Sequence, residues 1–564
     1  MGILGKSSFS WIWIFVAFVT FPFPGSYAQR LQVGMPFLEE RIRLSQLEGN
    51  WDASVSLFIR PLDLGNYAKN TEQILGTDSI FSLKENQKVI SKQKKFEINS
   101  LPLMSISGFS VGNPYPNTSI LLINNGFQNY FTGGLFVKAG ILSVQIQPEY
   151  IIAQNQEYDP GRAKSWNIEY IERFGQKSYS KFLPGQSSVR LNFGAFSAGV
   201  STENIWWGPG QFNALLFSNN AFGFPHFTLN TRRPAKTLFG NIETQLIVGK
   251  LEGADVNNTS IENIIDEPRY FNGISFSIQP RGLPNLFLGF SRVFQQYESF
   301  QGDSFTDYFP IFDPFQKKDK FVNGNDSGIF DQEGRDQQIT IHGRYLIPKA
   351  KMEFYFEYGR RDHAFDWREA MLNPEHARAY LLGFTKISKL NGVQSLLFRG
   401  EILQQQESIN ILVRYPGTGG SLNWSGHGVV RHGFTNYGQM MGAGIGPGSN
   451  SQTLEISWLK PTQKIGFLFE RVNRYQDFYT ANFNDPSPAN RWVDFSSSFL
   501  GDFKMKNLIL TSRLNFIKTY NRDWLPVSGS GVDFSIGRSD FSFQGQIGVL
   551  FFLPGTSKNP LKTD

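Results

Sequence analysis

The chain has 564 residues, of which 18% are charged and 15% aromatic (54 Phe, 20 Tyr, 11 Trp), with 55 Gly and no Cys. Its mean hydropathy is −0.28, and beyond the N-terminus the longest apolar run is Val549 to Leu553, far short of the ~20 apolar residues of a membrane-spanning helix. A hydrophobic content of 40% argues against disorder, and the absence of cysteine excludes a disulfide framework, a thiolate nucleophile and a Cys-ligated zinc, so a large soluble all-β protein or a membrane β-barrel remains.

At the N-terminus Lys6 precedes the apolar stretch Trp11 to Phe23, followed by Pro24, Gly25 and Ser26-Tyr27-Ala28. This order predicts a signal peptide over residues 1–28, cleaved after Ala28. No Cys follows to carry a lipid anchor. The net charge of +6 and pI near 9.1 suit an acidic or anionic partner. Export argues against nucleic acid, and the positive charges are dispersed, as on a solvated surface.

Residues 29–105 read as a mixed or helical segment, either a periplasmic cap or a plug. Leu38, Ile42, Leu44 and Leu47 fall near one face at helical spacing and Gly49 ends the run. A weaker polar-helical stretch covers Ser82 to Lys95. From residue 106 to 564 the period changes to two. Leu135, Val137 and Ala139, then Leu142, Val144 and Ile146, alternate with Lys138, Ser143, Gln145 and Gln147. In the last strand Phe541, Phe543, Gly545, Ile547, Val549 and Phe551 share one face, and Ser542, Gln544, Gln546 and Gly548 the other. Asp303 to Gly334 and Gly417 to Ser425 read as long loops. Alternation does not separate a sandwich from a barrel, but the ring content favours the barrel, whose interfacial girdles consume aromatics. The aromatic end of the last strand is internal, at Phe551 or Phe552, because Pro554 and a polar tail follow.

Little in the chain points to catalysis. The histidines His226, His342, His363, His376, His427 and His432 form no H-E-x-x-H pattern, and His427 and His432 are five apart. Gly442 to Gly448 lacks the Lys and helix of a phosphate loop. Asn323, Asn325, Ser327 and Gly328 echo a calcium loop whose last carboxylate is misplaced, with Glu333 one position early. Asp362, Asp366 and Glu369 carry carboxylates of the type a glycosidase pairs, at unknown separation. The expectation is a non-enzyme with no catalytic residue, metal or cofactor.

The centre, Ser201 to Gly240, is distinctive. Trp206-Trp207 precedes a Gly208-Pro209-Gly210 turn, and Asn219-Asn220 and Pro225-His226 make further breaks. Tryptophans beside polar turns suit a membrane interface, a sugar platform or a packed, inward-folded loop. With Glu375-His376-Ala377-Arg378-Ala379-Tyr380, Arg431-His432-Gly433-Phe434, Gly442 to Gly448 and Ser56 to Leu62, these stretches resemble the capsule assembly Wzi family. The resemblance implies an all-β, transmembrane antiparallel barrel of about 18 strands in a Gram-negative outer membrane, with a small helical N-terminal periplasmic segment. It also implies a lectin-like, non-enzymatic role that attaches capsular or extracellular polysaccharide to the cell surface. Trp206, Trp207, Asn220, His226 and Arg232 are the candidate polysaccharide contacts, and polymer and outer-membrane lipid the expected partners. A diffusion porin or substrate-specific channel is the alternative, an outer-membrane hydrolase a third reading, and the oligomeric state stays open.

Overall fold

The computed structural model describes residues 30–64, 96–117, 120–158, 168–255, 264–312, 334–362, 367–408, 410, 423–482, 490–524 and 537–553. The expected signal peptide, the Ser82 to Lys95 stretch, the calcium-like loop at Asn323 to Glu333, His363, Asp366, the Glu369 side chain and the tail from Pro554 lie outside this description.

Strands form one closed antiparallel barrel. From Gly240–Leu251 onward each long strand pairs with the next in sequence, through Arg269–Pro280, Leu286–Tyr297, Asp336–Ile347, Met352–Arg361, Arg378–Lys389, Ser395–Gln404, Asn450–Lys460, Gln463–Asn473, Val493–Met505 and Leu508–Tyr520 to Asp540–Phe551. The first part of the wall is more broken. Phe96–Ser100 and Leu103–Val111 run on from one another around Leu101-Pro102, as do Gly126–Thr132 and Leu135–Ala139 around Gly133-Gly134, Leu142–Ile146 and Glu149–Ala153 around Pro148, and Tyr179–Leu183 and Ser188–Phe193. Phe196–Ser201 and His226–Thr231 complete it. The ring closes where Asp540–Phe551 meets Leu103–Val111, with Phe543 opposite Val111 and Phe551 opposite Leu103. Wall pairing thus starts at Phe96, ahead of residue 106, because Pro102 splits the first strand and leaves too short a piece for alternation to reveal.

The two faces follow the pleat. In Met352–Arg361, Phe354 and Phe356 are exposed while Glu353, Tyr355 and Glu357 are buried, and in the last strand Phe541, Ile547 and Phe551 are exposed while Ser542, Gly548 and Leu550 are buried. Apolar outside and polar inside is the pattern of a membrane barrel. Tight turns such as Gly140-Ile141 and Lys506-Asn507 gather at one end, and the long connections at the other. In such barrels the short turns are periplasmic and the long loops extracellular.

Several of the described segments lie inside the ring. Leu38–Leu47 forms a helix as its apolar spacing predicts, with Glu39 and Glu40 in its first turn, where the helix dipole favours them. Leu44 and Leu47, with Phe58 and Ile59, pack on Phe287, Leu346, Ile387, Leu397 and Leu459 of the wall. Arg30–Leu31 pairs with Leu62–Asp63, and Ile59–Arg60 pairs with Trp206–Trp207. Two long connections, residues 202–225 and 423–449, turn inward and meet in one cluster that includes Leu215, Phe217, Trp424, Phe434, Met441 and Ile445.

Candidate functional site

The first inward connection is held by wall carboxylates. Glu357 accepts the backbone N–H of Gly210 and of Leu215, each at 3.0 Å. Glu401 accepts the N–H of Gln211 and Asn213 at 2.8 Å, the Asn213 side chain at 3.1 Å and the Tyr355 hydroxyl at 3.0 Å. Arg43 donates to Pro209 O at 2.6 Å, and Arg60 donates to the carbonyls of Gly208 and Gly210 at 3.2 and 3.1 Å. Buried backbone groups need such partners when no ladder supplies them. Gly208 has φ 99° and faces the Glu357 carboxylate so closely that a side chain would collide with it, which accounts for glycine after the Trp pair.

Between this connection, the N-terminal segment and the wall lies a cavity of about 240 Å³, lined among others by Trp206, Phe212, Asn220, Glu40, Arg399 and Arg513. Its arginines are unequal. Arg43 pairs with Glu353 at 2.7 Å, Arg60 with Glu39 at 2.6 Å, and Arg399 with Glu40 at 2.8 Å and also with Glu455. Arg513 donates its Nε to Ser498 Oγ at 3.1 Å and, among the described residues, has no carboxylate in ion-pair range. Burial disfavours the Glu40 carboxylate, but Arg399 and Lys464 outweigh it and hold its pKa down at about 2.

The five residues singled out from sequence separate on this map. Trp206 and Asn220 line the cavity, and the Arg60 guanidinium lies 4.4 Å from the Trp206 ring centre. Trp207 is packed in the core, edge-on to Phe217 at 4.9 Å, with Nε1 donating to Gln245 at 2.9 Å. His226 is buried with Nδ1 2.8 Å from Phe224 O. Arg232, past the other end of the same strand, donates to Asp63 at 2.7 Å.

The second inward connection docks on the first. Ser218 donates its N–H to Met441 O at 2.8 Å and its hydroxyl to Gly442 O at 2.6 Å, and Asn220 Nδ2 donates to Met440 O at 2.8 Å. Arg269 ties the connection to the wall through Gly433 O and Thr435 O, both at 2.9 Å. His427 Nδ1 accepts the N–H of Val430 at 3.0 Å and so closes a turn. His432 has Nδ1 3.0 Å from the Tyr297 hydroxyl, and burial, reinforced by Arg269, pushes its pKa down to about 3. Among the described residues no three His, Asp or Glu side chains are placed to share a metal.

At the long-loop end the structure adds a cluster that sequence reading missed. Tyr475, Tyr479, Trp492 and Trp524 pack together, with Tyr479 stacked on Trp524 at 5.6 Å and Tyr475 edge-on to Trp492 at 5.5 Å. Arg474, paired with Asp494 at 2.6 Å, lies 5.9 Å from the Trp492 ring centre. A cleft of about 30 Å³ beside them is lined by Tyr115, Tyr158, Tyr170, Trp492, Arg474 and Arg522. The available signal was an Arg beside or near an aromatic at three strand ends: Arg474-Tyr475, Arg491-Trp492 and Arg522-Asp523-Trp524.

The profile of the capsule assembly protein Wzi family matches residues 123–529, which include both inward connections. The chain belongs to this family. Among solved structures, Wzi of Escherichia coli, an outer-membrane protein involved in group 1 capsule assembly and a carbohydrate-binding β-barrel, is 12% identical. The match covers 93% of this chain and 99% of that one, with a TM-score of 0.58. OccK7 (OpdD) of Pseudomonas aeruginosa is 9% identical over 81% of this chain and 100% of its own, with a TM-score of 0.39. A comparison with curated proteins found no match. Like the solved Wzi, this Wzi-family chain is a closed β-barrel. Its W-W-G-P-G and G-A-G-I-G-P-G stretches are the two connections that interlock inside the ring.

Proposed function

We propose that this protein binds capsular or related extracellular polysaccharide and attaches it to the cell surface, without catalysing a reaction on it. The observation that carries this reading is what the lumen holds: among the described residues two inward connections and the segment from Arg30 to Leu64 pack inside the ring, and one connection is hydrogen-bonded to buried wall carboxylates. A channel needs an open path, whereas a binding scaffold gains from rigidity, because ordering costs are met before the ligand arrives.

Trp206 and Asn220, which line the cavity, are proposed as saccharide contacts, with Trp207, His226 and Arg232 holding the surrounding framework. The cleft at Tyr170, Trp492 and Arg522 offers rings and a guanidinium nearer the cell exterior. Each contact is weak, and a repeating polymer that engages many copies on one cell supplies avidity. Arg30 to Leu64 is proposed as the plug end of the N-terminal segment. Counting each pair of collinear short segments as one strand gives eighteen in the ring, which supports the number implied by the resemblance.

The test is the partition of polysaccharide between cells and medium. Deleting the gene should move polymer into the medium without reducing its total, and the wild-type copy should restore attachment. Unchanged attachment, together with steady conductance of the purified protein in planar bilayers, would establish the channel reading instead.

A further inference from the structure

The outer wall is apolar over most of its height, but not near the long-loop end of four consecutive strands. Arg292, Ile339, Arg360 and Arg378 are register partners across Leu286–Tyr297, Asp336–Ile347, Met352–Arg361 and Arg378–Lys389. Opposed residues of an antiparallel sheet project from the same face. That face is the outer one: two steps of the pleat lower, the same register gives Leu288, Gly343, Phe356 and Leu382, whose Leu and Phe side chains are exposed. Three arginines therefore stand in one row of the surface that elsewhere meets lipid, where an uncovered charge is costly.

Each of the three is met by a carbonyl from a different long connection. Arg292 donates to Ile311 O at 3.0 Å, Arg360 to Asn373 O at 2.7 Å and Arg378 to Gln406 O at 2.8 Å. Two of these connections lie against the outside of the wall. Tyr308 sits edge-on to the outward Tyr270 at 6.3 Å and its carbonyl accepts the Tyr270 hydroxyl at 2.5 Å, while Pro374 O accepts the hydroxyl of the outward Tyr358. Beneath the first, Asn272, Arg292 and Gln337, all at outward positions, are buried. That segment is itself braced, by the capping box of Ser304 and Asp307 and by an Asp307–Arg335 ion pair at 2.6 Å.

The covering segments replace the hidden polar wall with apolar side chains. Phe305 is 67% exposed and Phe312 61%, and on the second segment Met371 is 75% and Leu372 71% exposed. These continue the lipid-facing surface of Ile341, Phe354 and Phe356. We infer that residues 298–312 and 367–374 are membrane-seated flaps, folded down the outside of the barrel, which cap the wall arginines and present Phe305, Phe312, Met371 and Leu372 to the acyl chains of the outer leaflet. This rests on the chain being an outer-membrane barrel and is independent of the saccharide reading.

The absence of cysteine makes the test direct. Phe305→Cys, Phe312→Cys and Met371→Cys of the full chain each carry a single nitroxide, in vesicles of phosphatidylethanolamine and phosphatidylglycerol. Phe356→Cys on the wall serves as the lipid reference and Lys177→Cys, on an exposed stretch, as the water reference. Retained β-sheet circular dichroism confirms that each variant is folded. The inference expects the ratio of relaxation by oxygen to relaxation by an aqueous nickel chelate to equal that of Phe356→Cys at all three positions, several-fold above Lys177→Cys. A label at 305, 312 or 371 that matches Lys177→Cys overturns the inference for its flap.

Discussion

Glu401 of the wall accepts the backbone N–H of Asn213 at 2.8 Å, so one carboxylate fixes the inward turn of a connection that begins and ends at the long-loop end of the ring. It accepts from Gln211 as well, and Glu357 does the same for Gly210 and Leu215. Replacing both carboxylates, Glu357→Leu with Glu401→Leu, leaves several buried donors without acceptors at about 1–3 kcal/mol each. The connection should then leave the lumen, and planar-bilayer recordings should show conductance well above that of the parent. Glu401→Gln keeps one acceptor oxygen but sets an NH2 against the donors of the other, and should show a smaller rise in conductance than the double variant.

Glu353 lies between Arg43 of the N-terminal helix and Arg344 of the wall, at 2.7 and 2.5 Å. Glu353→Ala strands two buried guanidinium groups, and breaking such a pair costs about 3–5 kcal/mol. Denaturant unfolding should show a loss of that order, and limited proteolysis should cut within residues 30–64 at far lower protease concentrations. Arg43→Met leaves Glu353 with Arg344 and should cost less.

Arg513 lines the cavity and has no carboxylate partner among the described residues, unlike Arg43, Arg60 and Arg399. If the cavity takes a sugar unit, a uronic acid should bind in preference to its neutral counterpart. Calorimetric titration with glucuronate and glucose oligomers should show this preference, and Arg513→Gln should abolish it while leaving the neutral affinity unchanged. Equal binding of the two by the parent would remove Arg513 from the site.

Asp477, in the helix Gln476–Asn482 of a long loop, accepts the Glu407 N–H at 2.7 Å. Burial pushes its pKa up from 3.8 to about 7; the Glu407 charge adds to the rise and Arg378 opposes it. Above the unfolded value the folded state holds a proton that the unfolded chain has lost. The contribution of Asp477 to stability is therefore full below the unfolded value and is lost as the pH rises through about 7. Amide exchange over residues 404–408, corrected for its intrinsic pH dependence, should be slower at about pH 5 than at about pH 8. Asp477→Asn should remove the difference.

Period-two alternation carried the all-β class because lipid and lumen impose opposite polarity on successive residues, as at Phe354 to Tyr358. The helix at Leu38 was legible from its apolar spacing. The inward course of residues 202–225 was not: a loop that turns into a lumen and one that turns into water use the same glycines and prolines, and the carboxylates that decide between them, Glu357 and Glu401, lie over a hundred residues away. Trp206 and Asn220 stand out in the sequence through a motif, but the cavity they line depends on Arg399 and Arg513 from distant strands. The outward arginines were hidden by the same alternation that revealed the wall. Their polarity contradicts their position until the covering carbonyls of Ile311 and Asn373 are seen.

With collinear short segments taken as one strand, every pairing in the wall among the described residues joins consecutive strands except one, between Leu103–Val111 and Asp540–Phe551. Construction of the ring is therefore a sequence of neighbour-to-neighbour additions that ends in a single long-range event. The entropy of closing a chain grows only logarithmically with its length, so this last step is limited by search time and by the threat of edge-to-edge misassociation more than by free energy. Until it occurs the first and last strands each keep a bare edge, so the seam is where mispairing with another chain is most open.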